Sequence, residues 1–310
     1  MGKYAIGVDI GGSHICSALI DMERKYIIPE SSSDLKVDNK ASANSIMCIW
    51  TNAIQKTISG IRLEELSGIG FAMPGPFDYE KGIALFERVA KYESLYNLNV
   101  AEYLRKSLGI GSDIPVRFMN DASSFAVGEA WIGKSADFSR SIALTLGTGF
   151  GSAFIENSVP VLERDDVPQL GCVWHLPYKE GIADDYFSTR WFIKEFAEKT
   201  GKTLNGVKEI SEIAETDQNA KGLFFQFGDE MGRFLGPWIK EFGAEVIVIG
   251  GNMAGAYKLF GSSFERSLET QKINIPVKQS EHMENAALIG SARLLEPEFW
   301  EKIKPLLSKM

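Results

Sequence analysis

Short apolar runs punctuated by glycine turns alternate, along this chain, with longer stretches in which apolar residues recur every third or fourth position. Near the start, Tyr4 to Val8 and Ile15 to Ile20 are β-type runs on either side of Asp9-Ile10-Gly11-Gly12-Ser13. In the middle, Ile142 to Leu146 and Ala153 to Ile155 flank Gly147-Thr148-Gly149-Phe150-Gly151. A strand, a tight glycine turn and a returning strand predict a β-hairpin in each place. Further strands are predicted at Tyr26 to Ile28, at Gly68 to Met73 (closed by Pro74-Gly75-Pro76), at Val116 to Met119 and at Glu245 to Ile249. Helical spacing covers Ala41 to Ile58, Val100 to Leu108 ahead of Gly109, and Ala122 to Trp131. It returns at about Asp184 to Lys199, at Ala220 to Phe242, and at about Asn285 to Leu295. The pattern is that of an α/β protein. In Ala220 to Phe242, Gly228, Gly232 and Gly236 stand four apart. Each lowers helix propensity by about 1 kcal/mol, so another helix or a ligand should approach that face closely.

Length changes the picture first. At 310 residues the chain exceeds what one core usually covers, so two lobes are expected. The first lobe should span 1–121, completed by a C-terminal helix at about 290–310, and the second 122–289. Net charge is −8, from 33 basic and 41 acidic residues, which argues against a broad nucleic-acid surface. Three scattered cysteines, Cys16, Cys48 and Cys172, cannot make a disulfide scaffold and point to a reducing compartment. No apolar stretch reaches membrane-spanning length and the first residues do not read as a signal peptide, so a cytoplasmic protein with no membrane partner is expected.

The hairpin tips carry the candidate chemistry. Backbone N–H groups unshielded by side chains can form an anion-binding concavity. Two such tips, each with a hydroxyl (Ser13, Thr148), suggest one polyphosphate held between two lobes. In an acidic protein that anion would need local help from backbone amides and a cation.

With these residues in place the chain resembles the ROK family (repressors, open reading frames and kinases), which shares the two-lobed, ribonuclease H-like fold of actin and hexokinase. Asp9 to Ser13 is similar to the family's D-I-G-G-T-K start, with Ser13 for Thr and His14 for Lys. Met73-Pro74-Gly75-Pro76 with Asp78 resembles its P-G-x-x-D turn, and Asn120-Asp121-Ala122 its N-D-A motif. Leu146 to Gly151 resembles the second phosphate loop, and Val248 to Asn252 the adenosine-side V-I-G-G. The resemblance implies phosphoryl transfer from ATP to a sugar hydroxyl, a reaction that asks mainly for alignment and charge stabilisation. Asp121 would be the general base, and Asn120, Gly75 and Asp78 would face the sugar. Asp9 would hold Mg²⁺ through water. Gly11, Gly12, Ser13, Gly147, Thr148 and Gly149 would cradle phosphates, and Gly232, Gly250 and Gly251 would line the adenosine. Asn120-Asp121 also reads as a helix N-cap, which need not exclude catalysis.

The sequence departs from the family between Gln169 and Ser188. The family's E-x-G-H becomes Gln169-Leu170-Gly171-Cys172, and its cysteine-rich zinc knot is missing, so no zinc site is expected. His175 could replace the displaced family histidine, or simply pack beside Trp174; Asp184 takes the place of the family's sugar-binding Glu ahead of Tyr186. The implied activity is a glucokinase-like transfer giving glucose 6-phosphate. Fructose, allose, N-acetylglucosamine or N-acetylmannosamine are alternative acceptors, and a non-catalytic sugar sensor is a third reading. Homodimerisation is an expectation of the resemblance alone.

One motif misleads. Gly128-Glu129-Ala130-Trp131-Ile132-Gly133-Lys134-Ser135 fits G-x-x-x-x-G-K-[ST] letter for letter. The phosphate-binding mechanism requires a strand before the motif and a helix after it, whereas a helix is predicted before it. The segment is therefore read as a helix end.

Overall fold

The computed structural model describes residues 2–310 and divides them into two compact units. One runs to Ile132 and takes in Glu284–Met310; the other is Gly133–Met283. No helix among the described residues is long and apolar enough to cross a membrane.

The first unit opens with the antiparallel hairpin β1 (Tyr4–Ile10) and β2 (His14–Asp21), followed by the short β3 (Tyr26–Ile27) and β4 (Ser33–Lys36). Helix α1 (Ala43–Ile58) starts where Ser42 accepts a hydrogen bond from the Ser45 amide, and it buries Ile46, Trp50, Ala53 and Ile54. Strand β5 (Leu66–Met73) runs parallel to β1 and leads into the small β6 (Phe77–Asp78) and β7 (Ile83–Ala84) ribbon. Helix α2 (Val100–Leu108) is capped by Asn99 and closed by Gly109 at φ 65°, and the parallel strand β8 (Val116–Asn120) runs straight into α3 (Asp121–Ile132). The sheet order is β3-β2-β1-β5-β8, with β4 on β2. Register pairs Asp9 with Ala72 and Met73 with Asn120, so both polar residues end parallel strands at one edge of the sheet. That carboxyl edge is where open α/β sheets bind ligands.

The second unit repeats the hairpin as β9 (Arg140–Leu146) and β10 (Phe150–Glu156), with β11 (Val159–Pro160) beyond it. A ribbon of β12 (Pro177–Tyr178) and β13 (Gly181–Ile182) leads to α4 (Ala183–Tyr186) and α5 (Thr189–Thr200). Helices α6 (Val207–Ile213) and α7 (Gln218–Phe242) precede β14 (Val246–Gly250), α8 (Tyr257–Thr270) and β15 (Val277–Gln279). The order β11-β10-β9-β14-β15 puts β14 between parallel neighbours, and all five of its residues are buried, as a strand covered on both faces requires. Its core is aromatic: Phe192, Phe224 and Phe227 lie with ring centroids 4.7–5.0 Å apart about Phe192.

Helix α9 (Asn285–Arg293) returns to the first unit, and α10 (Pro297–Ile303) follows it. It fits there only because glycines face it. A Cβ on Gly7 would lie 2.0 Å from the Leu288 carbonyl oxygen, and one on Gly70 would lie 1.9 Å from that of Ser291. On its other side, Gly290 meets the Ser124 carbonyl and Gly128 the Ala286 carbonyl in the same way. Gly128, the first letter of the apparent phosphate motif, is therefore a mid-helix packing residue of α3. No strand precedes it, and the motif's Lys134 pairs with Glu281. Lys134→Ala should leave ATP turnover within about twofold and stability within about 1 kcal/mol. A large loss of nucleotide affinity in a kinetic titration would instead restore the motif to function.

Candidate functional site

The first turn owes its shape to residues that sequence reading overlooked. Tyr92 Oη donates to the Gly11 carbonyl at 2.6 Å, Asn39 Nδ2 donates to the Gly12 carbonyl, and the Val37 amide donates to the Ser13 carbonyl at 2.8 Å. The Tyr92 amide in turn donates to the Asn39 carbonyl at 2.8 Å, tying the two supports together. Tyr92 is fully buried at φ 57°, a backbone state that a bulky residue keeps only where its surroundings enforce it. In a trans peptide the carbonyl and the next N–H point in opposite directions. Drawing the Gly11 and Gly12 carbonyls into the protein therefore turns the Gly12 and Ser13 amides outward, at the two exposed residues of the tip. Neither amide has a hydrogen-bond partner among the described residues. The His14 ring, standing where the family has Lys, covers Gly11: a Cβ there would lie 2.9 Å from it.

The second turn is built on the same plan. Thr189 donates to the Gly147 carbonyl through both its amide and Oγ1, each at 2.9 Å, and Arg190 Nη1 donates to the Thr148 carbonyl at 2.9 Å. The Thr148 and Gly149 amides consequently face away from α5 and are unpartnered among the described residues. Gly251, at φ 80°, lies against the start of this turn, and a Cβ there would be 2.5 Å from the Leu146 carbonyl oxygen. Gly250, fully buried, ends β14 beside Thr145.

Asn120 and Asp121 join β8 to α3. Asn120 Oδ1 accepts from the Ser123 amide at 3.1 Å, so Asn120 is the side chain that caps the helix. Its Nδ2 donates to Asp121 Oδ1 at 3.0 Å, and the Ala122 amide donates to the same oxygen at 2.9 Å. Asp121 Oδ2 is left with no partner among the described residues. Both side chains are partly exposed.

Asp9 makes no side-chain hydrogen bond among the described residues. Burial, followed by the negative charges of Asp121 and Glu284, pushes its carboxyl from 3.8 up to about 8. Asp9 keeps some solvent exposure, which tempers the size of that rise without changing its direction. Glu284 precedes α9 and has no signal in the sequence that would have marked it. A carboxyl oxygen without a donor, crowded by like charge, suits a hard divalent cation. Among the described residues no three His, Cys, Asp or Glu side chains converge on one point, so an ion on Asp9 would keep most of its water.

Three of the expected ligand positions make contacts within the protein. Gly232 is buried against α8, where a Cβ would lie 2.6 Å from that of Ser267, and its carbonyl accepts from Gln271 at 2.9 Å. Gly228 and Gly236 meet Ser263 and Gln271 on the same face, so the glycine stripe is a helix–helix contact. Asp184 Oδ1 accepts from the Phe150 amide at 2.6 Å and Oδ2 pairs with Arg190, so both carboxylate oxygens have a partner within the protein. Asp78 accepts from the Lys81 amide at 2.9 Å and pairs with the Lys81 ammonium at 3.2 Å, within its own turn. Gly75 is exposed, 3.5 Å from Tyr79 Oη measured from the position of a Cβ.

His175 and Cys172 touch, Nδ1 to Sγ at 3.7 Å, and the Trp174 ring stands edge-on to the imidazole at 5.4 Å. Burial lowers the His175 pKa and raises that of Cys172 to about 11, so the pair is a neutral imidazole beside a thiol. His175 remains partly exposed and free to accept or donate.

Known proteins place these features in context. The chain is 24% identical over 318 residues to an N-acetyl-D-glucosamine kinase of Haemophilus influenzae, covering 93% of this chain and 98% of that protein. It is 26% identical over 318 residues to a glucokinase of Thermotoga maritima, covering 94% and 96%. The crystal structure of a ROK family glucokinase from Streptomyces griseus, in complex with glucose and AMPPNP, superposes with a TM-score of 0.75 at 22% identity, over 94% of this chain and 98% of that one. The fold is thus the actin-like α/β architecture that the sequence implied. The profile of the ROK family matches residues 5–298, and the chain belongs to that family.

Proposed function

We propose that the protein is an ATP-dependent sugar kinase, with glucose the first acceptor to consider and N-acetylglucosamine the second. The observation that carries this reading is the pair of glycine turns whose carbonyls are bonded inward, leaving Gly12, Ser13, Thr148 and Gly149 with outward amides. Backbone N–H groups held in advance suit phosphate oxygens, because stabilising transferred charge then needs no reorganisation. Asp121 fits the base: its cap partners hold Oδ1, and Oδ2 is available for the proton that leaves the attacking sugar hydroxyl. Asn120 Nδ2, Gly75 and His175 are assigned to the sugar hydroxyls, and Gly250 with Gly251 to the adenosine, on the strength of the family pattern. The second acceptor rests on the similarity to the N-acetyl-D-glucosamine kinase of Haemophilus influenzae. Incubation with γ-labelled ATP and single sugars, followed by mass analysis, should yield a sugar monophosphate; label released only as inorganic phosphate would contradict the reading.

The family implies Mg²⁺, and Asp9 is the residue that fits it. Bound there, the ion would neutralise phosphate charge on the nucleotide. Because the Asp9 carboxyl sits well above its ordinary value, the folded protein binds a proton that the unfolded chain releases between 3.8 and about 8. Its contribution to stability therefore falls as pH rises through that window. A cation on Asp9 displaces the same proton, so apparent Mg²⁺ affinity should strengthen with pH, by up to about tenfold per unit, and level off above pH 8. Mg²⁺ titrations of the melting midpoint at several pH values read this directly. An affinity independent of pH would remove Asp9 as the ligand.

A further inference from the structure

The 147–149 turn is held by side chains of Asp184, Thr189 and Arg190. The helix breaks between α4 and α5 at Phe187-Ser188, and residues on either side of the break, Asp184, Thr189 and Arg190, converge on one turn. Thr189 takes the Gly147 carbonyl, Arg190 takes the Thr148 carbonyl, and Asp184 accepts the Phe150 amide. Asp184 and Arg190 are also paired to each other, Oδ2 to Nη2. Three residues of the turn are thereby fixed by one short segment. Gly149 shows how closely: a Cβ on it would stand 3.0 Å from Asp184 Oδ1.

We propose that the Asp184–Arg190 ion pair is a latch on the second phosphate turn, and that through it these two are positioning residues for ATP. The pair acts through peptide geometry. With the Thr148 carbonyl pinned to Arg190, the Gly149 N–H must point the other way, and pinning the Gly147 carbonyl does the same for the Thr148 N–H. Without Arg190 the 148–149 peptide can flip, presenting a carbonyl oxygen to the phosphate instead of an amide. The two sides of the pair differ in exposure: the Asp184 side chain is 21% exposed and that of Arg190 54%. Arg190 can therefore be replaced without opening the core. Lysine is a poor substitute, since one ammonium lacks the planar fork that bonds a carboxylate and a carbonyl together.

This inference rests on the proposed kinase function, and the test separates the two. ATP affinity is measured by isothermal titration calorimetry on the intact chain, and the sugar KM by steady-state kinetics, for wild type, R190A, R190K, D184N and R190A/D184N. The latch predicts ATP binding weakened about tenfold in R190A, as for the loss of a charge-assisted hydrogen bond, with the sugar KM within about twofold. R190K should lie between R190A and wild type. The double variant should be no worse than the poorer single one, because the two side chains act as a unit. D184N retains an acceptor for the Phe150 amide, so it keeps the turn closed while discharging the pair, and melting curves check that every variant is folded. Unchanged ATP affinity in R190A, or a D184N defect confined to the sugar KM, overturns the latch while leaving the kinase in place. Absence of ATP binding to the wild type overturns both.

Discussion

Asp121→Asn should lower turnover by about 10² to 10⁴ while sugar and ATP continue to bind, the range expected for loss of a positioned general base. The substitution is close to isosteric and keeps Oδ1, which accepts from Ala122 and Asn120, so the start of α3 should be preserved. What is lost is the proton acceptor at Oδ2, the one carboxylate oxygen there without a partner. Steady-state kinetics with separate binding measurements distinguish the outcomes: kcat falls, and the dissociation constants move little. A kcat within about threefold of wild type would remove Asp121 from the chemistry. Weakening of the Oδ1 hydrogen bonds alone, about 1 kcal/mol, could not produce a catalytic defect of that size in a protein that still binds both ligands.

The largest effect on stability should come from Gly290, which no chemistry singles out. A Cβ at this position would lie 1.8 Å from the Ser124 carbonyl oxygen and 2.7 Å from the Gly128 amide nitrogen. Both contacts are backbone atoms of a helix, so no rotamer change relieves them, and α3 and α9 must separate. Overpacking a core usually costs about 1–3 kcal/mol, and here the neighbours cannot yield, so Gly290→Ala should reach or exceed the top of that range. Gly290→Val should abolish soluble protein. The effect reaches the proposed general base, because α3 begins with Asp121. Gly222→Ala is the contrasting case. This glycine is exposed in α7 with nothing within 4 Å of an added Cβ, and the change should stabilise by roughly 0.5–1 kcal/mol. Melting curves that rank the two glycines alike would contradict the close packing of α9.

The same contrast explains what could be read from the chain. The turns at Gly11-Gly12-Ser13 and Gly147-Thr148-Gly149 were legible because β runs interrupted by glycines encode a hairpin within a few residues. Asn120-Asp121 was legible as a cap for the same local reason. The supports of those turns were not: Tyr92 and Asn39 reach the first, and Thr189 and Arg190 the second, across long sequence separations, and none carries a local pattern. Gly7, Gly70 and Gly290 likewise answer to a helix packed against distant chain. The Gly228, Gly232, Gly236 stripe announced a close approach without naming the partner, and α8 itself, with Gly261 and two serines in its first half, has weak helical propensity and was not foreseen. One continuous helix was expected from Asp184 to Lys199; the break at Phe187-Ser188 is imposed by the bonds to the Gly147 and Thr148 carbonyls. Short-range rules located the two turns and the Asn120 cap, and the tertiary contacts that orient them had to be seen.

The most direct test of the central claim is a coupled ADP-release assay with ATP and Mg²⁺ across a panel of hexoses and N-acetylhexosamines. The account predicts turnover with one or a few of these sugars, well above the sugar-free rate and lost in Asp121→Asn. Sugar binding detected by thermal shift, with no ADP release above the sugar-free rate for any of them, would contradict it and leave a sensor rather than a kinase.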